Sequence, residues 1–121
     1  MRVAVTGDWG KSALVRRIAL GSFTLQLPPT LGVEITRVSM GGLPVAFIET
    51  KHVLACDLVL LLCSSHLRAC ELWRDWHGHA EMVVVWVTMR ARPYGIRVCS
   101  MSGYGIGKLI SVLYLKALKY E

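Results

Sequence analysis

Hydrophobic and polar positions change their period several times along this chain, and each change marks an element. Residues 2–6 are short, β-branched and apolar, and Gly7 bounds them, which predicts a buried first strand. Residues 7–10 make a turn. From Lys11 onward Leu14, Val15, Ile18 and Ala19 take the i, i+3, i+4 spacing of a helix that Gly21 ends. Residues 22–29 read as a loop, because Pro28 and Pro29 exclude helix there. Residues 33–40 alternate apolar with polar, Gly41 and Gly42 supply a two-residue turn, and residues 43–48 return, so a β-hairpin is expected. Residues 57–63 are apolar on consecutive positions after Asp57, as in a strand covered on both faces. Ser64 and Ser65 can cap a helix over residues 66–77. Residues 81–88 form another buried strand, residues 90–95 a loop containing Pro93, and residues 96–99 a short last strand. After Gly107, the residues Leu109, Ile110, Leu113, Tyr114, Ala117 and Leu118 line one face of an amphipathic helix. The order predicts an α/β domain over residues 1–121: a mainly parallel six-stranded sheet with helices on both faces.

Composition narrows the function classes. The 121 residues are 54% hydrophobic and 18% charged, which excludes disorder. Mean hydropathy is +0.47, yet no apolar run is longer than that of residues 58–63, far short of the roughly 20 residues of a membrane span. No signal peptide is visible. Arg at position 2 and the final Lys-Tyr-Glu carry no lipidation chemistry, so no membrane anchor is expected. The net charge of +6 comes from scattered basic residues, with Arg16-Arg17 the one adjacent pair, which argues against nucleic acid as a partner. Cys56, Cys63, Cys70 and Cys99 read as reduced thiols of a cytoplasmic or nuclear protein. Cys63, His66, Cys70, His77 and His79 match no standard zinc spacing.

The candidate chemistry lies where the first strand enters the first helix. Gly7-Asp8-Trp9-Gly10-Lys11-Ser12 has the parts of a phosphate-binding loop: small residues that let backbone N–H groups surround an anion, a lysine to neutralise it, and a hydroxyl for Mg²⁺. It is two residues shorter than the standard G-x-x-x-x-G-K-[ST] spacing. Trp9 is a bulky ring inside that loop, placed either to stack on a ligand or to fill the pocket. Taken alone, the six residues fit a plain strand-turn-helix connection equally well.

These residues, with Gly21-Ser22-Phe23 and Pro29-Thr30-Leu31-Gly32-Val33-Glu34, resemble the first third of Ras-superfamily small GTPases, the Rab and Ran branches above all. Residues 99–107 before the last helix resemble that family's serine-alanine-lysine motif. The resemblance implies a three-layer P-loop GTPase-like fold that binds GTP or GDP with Mg²⁺. Gly7, Asp8, Trp9, Gly10, Lys11 and Ser12 would hold the phosphates. Ser12, Thr30 and Glu49 would hold the metal, and Ser100, Met101 and Ser102 would lie near the base.

The departures shape the rest of the reading. Glu49-Thr50-Lys51-His52 stands where the family has Asp-Thr-Ala-Gly, so the γ-phosphate-sensing glycine and the glutamine after it are missing. Glu49 either replaces the aspartate or is a charge at a strand end. Val87-Thr88-Met89-Arg90 replaces Asn-Lys-x-Asp and offers guanine no carboxylate. Six residues, 51–56, separate Thr50 from Asp57, and seven separate Thr88 from Ile96, so the family's second and fourth helices are missing and about three helices remain. The turn at residues 92–95 also permits an antiparallel last strand. A sheet face stripped of two helices is expected to expose apolar residues of the two central strands, and Trp76 is the expected interface anchor there. The function expected is that of a degenerate small GTPase with weak or absent hydrolysis, acting as a regulatory interaction module that binds a protein partner or itself. The alternatives are a nucleotide-free structural subunit and a GTPase completed by a partner.

Overall fold

A computed structural model describes residues 1–7, 10–19, 23–26, 34–87, 92 and 94–120. The element order is β1 (Arg2–Gly7), α1 (Lys11–Ala19), β2 (Phe23–Gln26), β3 (Glu34–Met40), β4 (Leu43–Glu49), β5 (Leu58–Cys63), α2 (His66–Trp76), β6 (Glu81–Trp86), β7 (Ile96–Arg97) and α3 (Ile106–Lys119). The strands form one sheet in the order β2-β3-β4-β1-β5-β6-β7. β1 pairs in parallel with β4 and β5, and β6 pairs in parallel with β5 and β7. β2 and β3 are antiparallel additions at the other edge. The sheet therefore has one strand more than the sequence pattern predicts: Phe23–Gln26, expected as loop, pairs along β3. Four residues on an edge are too few to establish a period. The last strand is parallel, which excludes the hairpin alternative. The expected stops at Gly21, Pro28, Pro29 and Pro93 lie outside the described residues.

The local signals that did predict elements act as expected. Gly41 and Gly42 both take positive φ, 55° and 84°, the primed turn whose twist matches a hairpin. Ser65 caps α2, its Oγ accepting from Arg68 N at 3.2 Å. β5 is buried at all six positions because helices or chain cover both of its faces.

Alternate residues of the central strands feed two cores. On one face Val3, Val5, Phe47, Leu58, Leu60 and Val85 pack under α1 (Leu14, Val15, Ile18) and α3 (Leu109, Leu113, Ala117). On the other Ala4, Val59, Leu61, Cys63, Val84 and Trp86 pack under α2 (Ala69, Leu72, Trp76). This second face is not bare, which corrects the expectation drawn from the missing helices. Two short pieces of chain replace them. Residues 50–57 run as a strap from the end of β4 across β1 to the start of β5, and Leu54 and Cys56 pack on the core beside Ala4. Burial pushes the Cys56 thiol above its ordinary pKa, as a group under such a strap should be. At the far side, Trp86 is closed off by the chain before β7. Its Nε1 donates to Tyr94 O at 2.6 Å, the Tyr94 ring meets it edge-on at 5.4 Å, and the Arg92 guanidinium lies 4.7 Å above it.

The part of this face left open lies over the hairpin, where Arg37, Ser39 and Pro44 are exposed, rather than over β5 and β6. Trp76 is also corrected. It is 1% exposed, the filling of the α2 core rather than a surface anchor; on α2 the exposed ring is Trp73 at 48%. Helical spacing put both tryptophans near one face, and only the angle at which α2 lies on β5 and β6 separates them.

A core role gives Trp76 a distinct signature. Trp76→Ala should cost about 3–5 kcal/mol of stability, the range for truncating a buried aromatic ring. Urea unfolding followed by circular dichroism checks this; a variant of unchanged stability but altered sedimentation would return Trp76 to an interface.

Candidate functional site

Because β1 lies between β4 and β5 and runs parallel to both, the C-terminal ends of all three strands open on one side of the sheet. α1 starts there, four residues after β1 ends. Gly7 closes β1 at φ 142°, and a Cβ on it would stand 2.5 Å from Leu62 O of β5, so no larger residue fits where the chain leaves the sheet. The helix begins at once, with Leu14 N donating to Gly10 O at 3.0 Å.

Lys11 opens the helix and turns back over the loop, its Nζ donating to Gly7 O at 2.8 Å. The ammonium is thereby held over the strand end, where an anion in the loop would meet it. One residue on, Ser12 Oγ donates to Glu49 Oε1 at 2.6 Å. Sheet register puts Glu49 in reach: it lies beside Val5 of β1, and Thr50 N donating to Val5 O at 3.0 Å continues that pairing. Glu49 is 8% exposed, so it is no solvated strand-end charge. A buried carboxylate needs a donor, and a short hydroxyl–carboxylate bond is a strong one.

A second carboxylate went unnoticed in the sequence. Glu34 of β3 is the cross-strand partner of Glu49 in the antiparallel ladder, so both side chains stand on the α1 side of the sheet. The signal that could have found it is the hairpin register counted back from the Gly41-Gly42 turn. The hydroxyl of Ser12 and the carboxylate of Glu49 are hard oxygen donors of the type Mg²⁺ takes, and they are already within one hydrogen bond of each other. The residues present therefore fit a Mg²⁺ ion accompanying a phosphate in this loop.

The other expected positions are less convergent. Asp8, Trp9, Thr30, Met89 and Arg90 lie outside the described residues. Lys51 and His52 are exposed, and the Thr50 hydroxyl, accepting from His52 N at 3.0 Å, fixes a tight turn in place of the family's glycine. Ser100, Met101 and Ser102 form the turn between β7 and α3, with Met101 94% exposed and Ser102 Oγ accepting from Tyr104 N at 3.2 Å. Cys99 begins this turn. Hydrogen bonds from Ser102 and the backbone around it favour the thiolate and lower its pKa.

The two shifted thiols should separate in a labelling experiment. Cys99, shifted down, carries thiolate at a lower pH than Cys56, shifted up. As pH is raised from 7 to 9, iodoacetamide should label Cys99 first and Cys56 only at the upper end. Peptide mapping by mass spectrometry reads the order, and equal rates would contradict the two environments.

No protein-family model matches the chain, and no curated protein does. Among solved structures it is similar to the G domain of the FeoB iron transporter of T. maritima, with a TM-score of 0.65 and 14% identity over 99% of this chain and 98% of that one. A second similar structure, purine nucleoside phosphorylase from Toxoplasma gondii in complex with immucillin-H, has a TM-score of 0.35 and 9% identity over 95% of this chain and 71% of that one, too remote to bear on the fold. The first likeness does not single out the Ras branch that the sequence motifs resemble. With its strand order, the three helices among the described residues and the passage from β1 into α1, the chain has the α/β fold of a P-loop GTPase G domain.

Proposed function

We propose that this chain is a phosphate-loop nucleotide-binding module with weak or absent hydrolysis, used as a regulatory interaction protein. The observation that carries the reading is the convergence of Lys11, Ser12 and Glu49 at the end of β1 in a G-domain fold. Lys11 neutralises the terminal phosphates, the backbone between Gly7 and Gly10 surrounds them, and Ser12 and Glu49 hold Mg²⁺. Bound Mg²⁺ would supply neutralisation of phosphate charge. Thr30 joins the metal site, and the turn of Ser100 to Ser102 borders the base, as in the small GTPases the motifs resemble.

What the chain lacks limits its turnover. The sensor position is taken by exposed Lys51 and His52, and residues 50–57 form a strap with no second-switch helix. Nothing there aligns a water in line with the terminal phosphate. Base selectivity is weak for a similar reason, since Met89-Arg90 provides no acceptor for the guanine N–H groups. A protein partner would meet the exposed Leu67 and Trp73 of α2 or Leu115 and Leu118 of α3. Reduced thiols suit a cytoplasmic or nuclear setting, and no helix among the described residues is long and apolar enough to cross a membrane.

One observation bears on the nucleotide-free alternative: Lys11 Nζ gives one of its three N–H donors to Gly7 O, a partner within the chain that needs no anion.

Nucleotide titrations with Mg²⁺ decide between them. The wild-type chain should bind GTP and ATP with affinities within about tenfold of each other, and Lys11→Ala should weaken both by about tenfold or more, the scale of one lost charge-assisted contact. No saturable binding of either nucleotide would establish the structural-subunit reading. A thousandfold preference for GTP would show that another residue reads the base.

Single-turnover hydrolysis should run no faster than about 5 × 10⁻⁴ s⁻¹, the intrinsic scale of isolated small GTPases. A faster Mg²⁺-dependent rate lost in Lys11→Ala would overturn the reading of a hydrolysis-poor module.

A further inference from the structure

From Met82 to Tyr120 the sequence contains no aspartate or glutamate, while Arg90, Arg92, Arg97, Lys108, Lys116 and Lys119 all fall within it. Scattered in sequence, three of these cations meet in space. A cavity of about 610 Å³ opens at the β7 edge of the sheet, between the end of β6, the chain entering β7 and the first turn of α3. Arg92, Tyr94, Arg97, Tyr104, Gly107 and Lys108 line it, and its lining includes no carboxylate. Its size is that of a small-ligand site.

The walls are arranged for an anion. Arg97 Nη2 donates to the Tyr104 hydroxyl at 2.8 Å with its guanidinium 5.0 Å from that ring, so the cation is held in place at the wall. Arg92 is fixed over Trp86 with its Nη2 donating to Ser64 O at 3.4 Å. Lys108 is exposed on the third residue of α3. The helix end adds donors of its own. Gly105 caps α3 without a side chain, no acid stands in the first turn, and a Cβ on Gly107 would meet nothing within 4 Å. The N–H groups of such a first turn face outward and carry the positive end of the helix dipole. The positive field is felt by Tyr104, whose hydroxyl pKa is lowered by Arg97 first and by Lys108 as well. Tyr94 and Tyr104, 40% and 56% exposed, supply flat apolar walls beside the charge.

We propose that this cavity is a second anion site, separate from the Lys11 loop, that takes a small phosphorylated ligand. Its phosphate sits between Lys108, Arg97 and the first turn of α3, with Arg92 balancing further charge. The tyrosines hold the organic part. The cavity lies where the chain before β7 folds over Trp86, so this site uses the room left by the missing helix.

Inorganic pyrophosphate is the probe, titrated at low salt without Mg²⁺ into the isotope-labelled full chain and followed by two-dimensional amide NMR. The amides of Gly105, Gly107 and Lys108 should shift saturably, and should do so equally in Lys11→Ala. Lys108→Gln should weaken the binding by about tenfold, the value of one charge-assisted contact. Gly107→Asp should abolish it. That substitution places a carboxylate at a helix start, where it favours the helix, so its melting temperature should hold or rise; should it fall instead, Lys108→Gln alone decides. Amides that stay still at millimolar pyrophosphate, shifts that vanish in Lys11→Ala, or variants that bind like wild type would each overturn the proposal. A short single-stranded oligonucleotide binding the same amides more than a hundredfold tighter than pyrophosphate would overturn it too, in favour of a nucleic-acid surface.

Discussion

The parallel seating of β1 between β4 and β5 is the constraint on which the rest of this molecule depends. It puts Val5 beside Glu49 and, through Glu49, beside Ser12 of the next helix. It sends Ala4 to one core and Val3 and Val5 to the other, so that a single short strand helps to build both. It also creates a problem, because parallel neighbours need a return path that normally contains a helix. The chain meets that need with residues 50–57, a turn at Thr50–His52 followed by a short run of chain without a helix. They must travel back about 10 Å along β1, cross it by two strand spacings of about 4.8 Å each, and clear the side-chain layer. Eight residues, at about 3.3 Å each, reach that far without a helix.

Much of this architecture was legible because the signals are local. A Gly-Gly between two alternating runs, a serine ahead of a helical spacing and six consecutive apolar residues each carry their meaning within a few positions. β2 was not legible, since an edge strand of four residues acquires its pairing only from β3. Nor was the cover over the α2 face. Counting residues showed correctly that no helix fits in the two short crossovers. It could not show that Leu54, Cys56, Tyr94 and Arg92 would do a helix's work, because extended chain has no periodic signature for burial on one side.

The candidate site divides in the same way. Lys11 and Ser12 are read from adjacent letters, and their geometry follows from the strand-to-helix turn. Glu49 was ambiguous in sequence, and only sheet register shows that it is buried against Ser12 rather than a solvated strand-end charge. Glu34 needed the ladder counted across the whole hairpin. The Arg97–Lys108 cavity was hidden for another reason: a scatter of basic residues looks harmless until the fold brings them to one edge, and the lack of acids between Glu81 and Glu121 gains its meaning only there.

The strap is tied at both ends to the strand it crosses. Thr50 N donates to Val5 O at one end; at the other Asp57 N donates to Arg2 O, and Arg2 N donates back to the Asp57 carboxylate at 2.7 Å. The strap is thus pinned at two points to the most central strand, with Leu54 and Cys56 packed on the core between them. In switch proteins the corresponding stretch is what a terminal phosphate pulls on, and its travel is the message. This stretch can leave β1 only by giving up both ties and the burial of Leu54 and Cys56 at once, so its opening and the loosening of that core are a single event.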